Sequence, residues 1–304
     1  MNRPLPPGLS WRDLDDAARE RAYSPSSCIG GNYQPFIDVY ALRSQAARAR
    51  IPGGLGLRYG PLPAHGLDLF MPAGGPGTAA ALRPPLLVFI HGGYWQALSR
   101  FESAFAAEHC VCQGIALAAI DYTLAPQATL AEMVDECRAA IAWLQRQADR
   151  LGFDAARIAV AGSSAGAHLA AMAAMSAMPS PATPAAGLSN PVKAAVLVSG
   201  IYELEPLLGT SINAAVDLTP ASAQALSPAF CALPGFPPSI VCWGQVETAE
   251  FKRQSLDFAG RLAHAGTPCQ VFEVPLRNHF DVILDLADPA TKLGQAVVAL
   301  MHSL

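Results

Sequence analysis

Apolar residues in this chain fall into two kinds of run that take turns along it. Short ones, at 85–90, 115–121, 156–162 and 194–200, have the length and content of strands buried on both faces, and two further strands are expected at 239–241 and 270–274. Between them lie longer runs with helical spacing. The clearest begins at Thr129, with Glu132 three residues on as a capping box, and keeps Leu130, Met133, Val134, Cys137, Ile141 and Leu144 on one stripe. Others are expected at 99–113, after Ser164, at 250–265, and at the end of the chain, where Leu293, Ala296, Val297, Leu300 and Met301 share a face. Strands that alternate with helices of this length predict an α/β protein with a mostly parallel, doubly wound sheet.

The flanking segments add to that core without dividing it. A short helix over 11–23, an irregular stretch from Tyr23 to Phe36 and a helix at 37–49 form an N-terminal helical extension over residues 1–50. Two short strands follow near Gly56–Tyr59 and Gly66–Met71, then a Pro/Gly/Ala loop at 72–85 too short to separate domains; a Pro-rich loop is expected at 179–191. Residues 203–235 are longer than an ordinary connection and weakly helical, as expected of a lid insertion. No internal repeat is visible, so residues 1–304 are read as one domain.

Composition narrows the function. Hydrophobic residues make up 52% and charged ones 14% of 304, net charge is -4, and the 20 basic residues are scattered, which leaves no footprint for nucleic acid or an anionic membrane. A small-molecule substrate is expected. The seven cysteines form no CxxC pair, and Cys110 and Cys112 have no neighbouring cluster with which to hold a metal. Reduced thiols, the lack of a signal-peptide run and the lack of ~20 consecutive apolar residues predict a cytoplasmic protein.

The chemistry gathers where strands end. Val160 to Leu169 reads as strand, sharp turn and helix around Gly162-Ser163-Ser164-Ala165-Gly166. A serine at the apex of such a turn exposes its hydroxyl, and the residues two before and two after must be tiny. Gly162 and Gly166 satisfy that for Ser164; Ser163 would be flanked by Ala161 and Ala165. A hydroxyl becomes a nucleophile when a base takes its proton, and of seven histidines only His279 follows the terminal strand. An acid must hold that imidazole. No aspartate lies between Asp217 and Asp257, so the acid is Glu247, at the end of its strand, in preference to Glu250, which opens the next helix; Asp281 is a third option, close to His279. Oxyanion donors are expected from the amide of Ala165 and from Gly92 and Gly93 in His91-Gly92-Gly93-Tyr94-Trp95. His91 is expected to brace that loop, His168 to be buried in the helix, and Tyr94 and Trp95 to wall the substrate pocket.

These stretches resemble the kynurenine formamidases (arylformamidases) of the α/β-hydrolase superfamily. The likeness includes Tyr23-Ser24-Pro25-Ser26, His91 to Trp95, Ala125-Pro126 with Thr129-Leu130 and Met133-Val134-Asp135, Gly162 to Ala170, Ile201 to Pro206, Glu250-Phe251 with Arg253-Gln254-Ser255, and His279-Phe280. It implies an α/β-hydrolase fold and a cofactor-free enzyme that cleaves N-formyl-L-kynurenine to formate and kynurenine, with Ser164, Glu247 and His279 as the triad. Glu247 departs from the aspartate usual in that family. Hormone-sensitive-lipase-like carboxylesterases share the HGG and GxSxG motifs and a stretch like Asp121 to Pro126, so a short-acyl esterase is the alternative. A non-catalytic binder on this fold would be expected to have lost a triad member. A homodimer is allowed.

Overall fold

The computed structural model describes residues 10–51, 53–73, 83–175 and 190–304. One eight-stranded sheet runs through it: β1 (Gly53–Arg58), β2 (Gly66–Phe70), β3 (Leu86–Ile90), β4 (Ala116–Ile120), β5 (Ile158–Ser163), β6 (Val192–Val198), β7 (Ser239–Val246) and β8 (Cys269–Asn278). Their order in the sheet is β1-β2-β4-β3-β5-β6-β7-β8, with β2 antiparallel to both neighbours and every pair from β4 to β8 parallel. This is the mostly parallel sheet that the alternation predicted, in the α/β-hydrolase arrangement that the resemblance implied.

The unbroken apolar runs are explained by two covering layers. Leu86, Val88 and Ile90 point to one side, among α4 (Leu130–Leu151), α5 (Ala165–Ala174) and α8 (Ala249–His264); Leu87 and Phe89 point to the other, among α2 (Gln34–Arg50), α3 (Ala107–Cys112) and α9 (Lys292–His302). The capping box at Thr129 and Glu132 starts α4, and Gly152, at φ 89°, ends it in the left-handed conformation that glycine takes without strain.

Two expected helices are broken. The segment 11–23 is a 3₁₀ turn at Trp11–Asp13 followed by α1 (Asp16–Ala22), because Ser10 closes a capping box on the first and Asp15 caps the second. The segment 99–113 is a turn at Arg100–Glu102 capped by Ser99, then α3; between them Ala104 N–H donates to Ser44 Oγ instead of a helical carbonyl. β7 and β8 run past their apolar stretches to Val246 and Asn278. Of the two expected loops, residues 74–82 and 176–189 lie outside the described residues.

Residues 203–235 fold as short turns around α6 (Asn213–Val216) and α7 (Pro220–Ala225), fastened below by Leu204 N–H to Ser227 Oγ and by Leu226 O to His168 Nε2, at 2.8 Å each. The N-terminal segment reaches across to this insertion and to α8. Trp11 Nε1 donates to Glu203 at 2.9 Å, Arg12 pairs with Glu205 at 2.7 Å, and Tyr23 Oη donates to Glu250 at 2.7 Å.

Candidate active site

β3 lies between β4 and β5, and Ile90 is in register with Gly162. The loop after β3 and the turn after β5 are thereby held side by side at the carboxyl edge of the sheet, where open α/β sheets place their ligands. Ser164 joins β5 to α5 at φ 57°, ψ −123°, a conformation costly for a residue with a side chain, and its N–H donates to Val198 O at 2.9 Å. The flanking glycines are sterically required. A Cβ on Gly162 would stand 2.2 Å from Gly166 O, and one on Gly166 would stand 2.1 Å from Ile90 O.

His279 follows β8 in a turn built by its neighbours: Asp281 Oδ1 accepts from Asn278 N–H at 2.6 Å, and Asn278 Oδ1 accepts from Phe280 N–H at 2.8 Å. Asp281 therefore shapes the turn, while the imidazole faces Glu247, with Nδ1 to Oε2 at 2.9 Å. A carboxylate acceptor assigns the proton to Nδ1 and leaves Nε2 free to accept one. The other oxygen, Glu247 Oε1, accepts from Ser199 Oγ and from Gly244 N–H, both at 2.6 Å. Glu250 is turned away, fully buried between Tyr23 Oη and Arg253. Phe251 packs edge-on to the His279 ring at 4.4 Å. Among the described residues no hydrogen bond joins the Ser164 hydroxyl to His279, although both line the same cleft.

Gly92 and Gly93 follow β3 as expected. A Cβ on Gly92 would come within 2.8 Å of Ser163 O, and Gly93 has φ 88°. Tyr122 Oη donates to His91 O at 3.1 Å and stacks on the His91 ring at 4.3 Å, while His91 Nδ1 lies 3.0 Å from Gly92 O. Burial holds the His91 ring below the usual histidine range, so it sits in the loop as a neutral brace. Tyr94 lines the cleft and donates its hydroxyl to Tyr23 O. Trp95 corrects an expectation: it is fully buried, edge-on to His168 at 5.2 Å, and does not wall the cleft. His168 is itself pushed down to about 4 by burial.

The cleft holds about 550 Å³. Ser164, His279, Gly92 and Gly93 line it on one side, with aromatic rings from Tyr33, Tyr40, Phe105 and Phe280 around them. Ser199, a lone serine after a strand, has no signal in the sequence; Tyr122 and the lining from Ser24 to Ser26 lie in stretches that carry the family likeness, but nothing in the sequence places them in the cleft or beside His91. No helix among the described residues is long and apolar enough to cross a membrane.

The BD-FAE family pattern matches residues 67–262. A kynurenine formamidase from Salmo salar is 31% identical over 303 residues, which covers 96% of this chain and 98% of that protein, and one from Danio rerio is 30% identical, covering 91% and 94%. A carboxylesterase, NlhH, from Mycobacterium tuberculosis is 28% identical over 72% of this chain and 74% of its own length. Among solved structures, an esterase from Pyrobaculum calidifontis superposes with a TM-score of 0.67 at 21% identity, covering 96% of this chain and 93% of that one. With sheet order, cleft and similarity over nearly the whole chain in agreement, the chain belongs to the BD-FAE family and, among the α/β-hydrolases, to the kynurenine formamidase group, and is a hydrolase of esters or formamides.

Proposed function

We propose that the protein is a serine hydrolase whose substrate is N-formyl-L-kynurenine, cleaved through a formyl-enzyme to formate and kynurenine. Ser164 Oγ attacks the formyl carbon as His279 Nε2 takes its proton. Glu247 holds the Nδ1 proton and balances the imidazolium that forms. Negative charge gathers on the formyl oxygen, and the amides of Gly92, Gly93 and Ala165 meet it, the last at the positive end of α5. Collapse breaks the C–N bond, the imidazolium gives its proton to the aniline nitrogen, and kynurenine leaves. Water then repeats the sequence on the formyl ester and releases formate. The observation that carries this reading is the Glu247–His279 pair, 2.9 Å apart, set in one cleft with a serine on a strained turn. The aromatic lining suits an aryl substrate, with Tyr94 in contact with it. A cytoplasmic role in tryptophan breakdown accompanies the proposal.

A second reading, a short-acyl carboxylesterase, is favoured by one observation. The charged side chains that line the cleft, His279 apart, are Glu20 and Glu102, and no lysine or arginine among the described lining residues is there to pair with the carboxylate of formylkynurenine. Formate release from N-formyl-L-kynurenine, set beside turnover of p-nitrophenyl acetate, decides. A kcat/KM above ~10⁴ M⁻¹s⁻¹ on the formamide, ordinary for an enzyme on its own substrate, is the expected result. Turnover of the ester alone would give the second reading.

A further inference from the structure

Ser199 follows β6 directly and its side chain is fully buried. Its backbone is left-handed, at φ 50°, yet its N–H still donates to Cys242 O at 2.8 Å, so the strand pairing continues through it. The hydroxyl donates to Glu247 Oε1 at 2.6 Å, Gly244 N–H reaches the same oxygen at the same distance, and Oε2 is left for His279 at 2.9 Å. The carboxylate thus has one oxygen anchored to β6 and β7 and the other turned to the imidazole.

We propose that Ser199 is a positioning residue for Glu247, and that its hydroxyl is what lets a glutamate serve as the acid of this site. The inference rests on the reading of Glu247 as that acid. Glutamate has one more rotatable bond than aspartate, and its carboxylate swings through a wider arc unless it is tied. Two donors on Oε1 remove that freedom without using the oxygen His279 needs. The Ser199 hydroxyl also directs the positive end of its dipole at the carboxylate beside the imidazole, which tempers the attraction of Glu247 for the imidazolium.

A plainer account exists: a small residue is wanted at φ 50°, and serine is merely tolerated there. That account predicts that glycine does as well or better, since it takes this conformation without strain. Ser199→Gly therefore separates the two while keeping the fold. With p-nitrophenyl acetate as substrate, we expect Ser199→Gly to keep the wild-type thermal midpoint and KM within about twofold. Its kcat should fall roughly 10- to 100-fold, as for a catalytic group slightly misplaced. The acid limb of the kcat/KM profile should move to higher pH, because the imidazolium is then held more tightly. Ser199→Ala should lose the same activity with a lower thermal midpoint. In a Glu247→Gln background the glycine substitution should cost little more. Wild-type kcat and an unmoved acid limb in Ser199→Gly, alongside an inactive Glu247→Gln, would overturn the role of Ser199 alone. A fully active Glu247→Gln would overturn the acid assignment and this inference with it.

Discussion

Ser164 sits on its strained turn at the wall of the cleft, and removing its hydroxyl is the sharpest test at the scale of single residues. Ser164→Ala should lower kcat by on the order of 10⁴ and abolish labelling by a fluorophosphonate. Activity close to wild type would remove the serine from the mechanism. The two glutamates should separate as their partners do. Glu247→Gln keeps the shape but loses the charge opposite His279, and a loss of about 10³ or more in kcat is expected. Glu250→Gln breaks a buried pair with Arg253 and weakens an acceptor for Tyr23, so it should lower the unfolding free energy by about 1–3 kcal/mol and leave kcat within tenfold. The reverse ranking would move the acid to Glu250. Residue types and order along the chain led to Ser164, Glu247 and His279 because each stands at the end of a strand, and the end of a parallel strand has a known place. Trp95 and Ser199 were illegible for a related reason. Which way a side chain faces in the loop after β3, where Tyr94 and Trp95 both take positive φ, is decided by tertiary contacts such as the Trp95–His168 packing. A serine after a strand gives no hint of a partner 48 positions away.

At the scale of elements, periodicity worked where one face was buried and failed where local caps intervened. α4 carries an apolar stripe, a capping box and a terminal glycine, and it appears where the pattern put it. The helices expected at 11–23 and 99–113 had suitable composition, but Ser10, Asp15 and Ser99 each start a new turn with their own side chains, and composition averages over such stops. β8 was read too short because the residues that extend it, Pro275, Leu276 and Arg277, are exposed or half-buried and carry no apolar pattern, as befits the last strand of the sheet. The turn between β5 and α5 is the least forgiving element. Gly166→Ala would set a methyl 2.1 Å from the carbonyl of Ile90, a clash with backbone that no rotamer relieves, and it should destabilise the protein by about 3 kcal/mol. A thermal midpoint within 2 °C or so of wild type would show that α5 can slide away from β3.

The whole molecule should be sensitive to acid. Burial pushes His168 from an ordinary 6.5 down to about 4 and lowers His91 as well. Between those values the unfolded chain binds protons that the folded one refuses, so stability is complete above about 6.5 and falls as the pH drops through that window. Thermal midpoints measured from pH 7 to pH 4 should decline, and His168→Gln should flatten the decline; a wild type equally stable at both ends would refute this. Long-range ties also join the extension to the rest. Trp11 meets Glu203 across 192 positions, Tyr23 meets Glu250 across 227, and Gln254 reaches Tyr23 across 231. A ribosome therefore delivers one wall of the cleft long before the residues that fasten it, and the wall must wait through the synthesis of nearly the entire sheet. His279 and Glu250 are added later still, so the pairing of Glu247 with His279 and the fastening of that wall both belong to the last stage of synthesis.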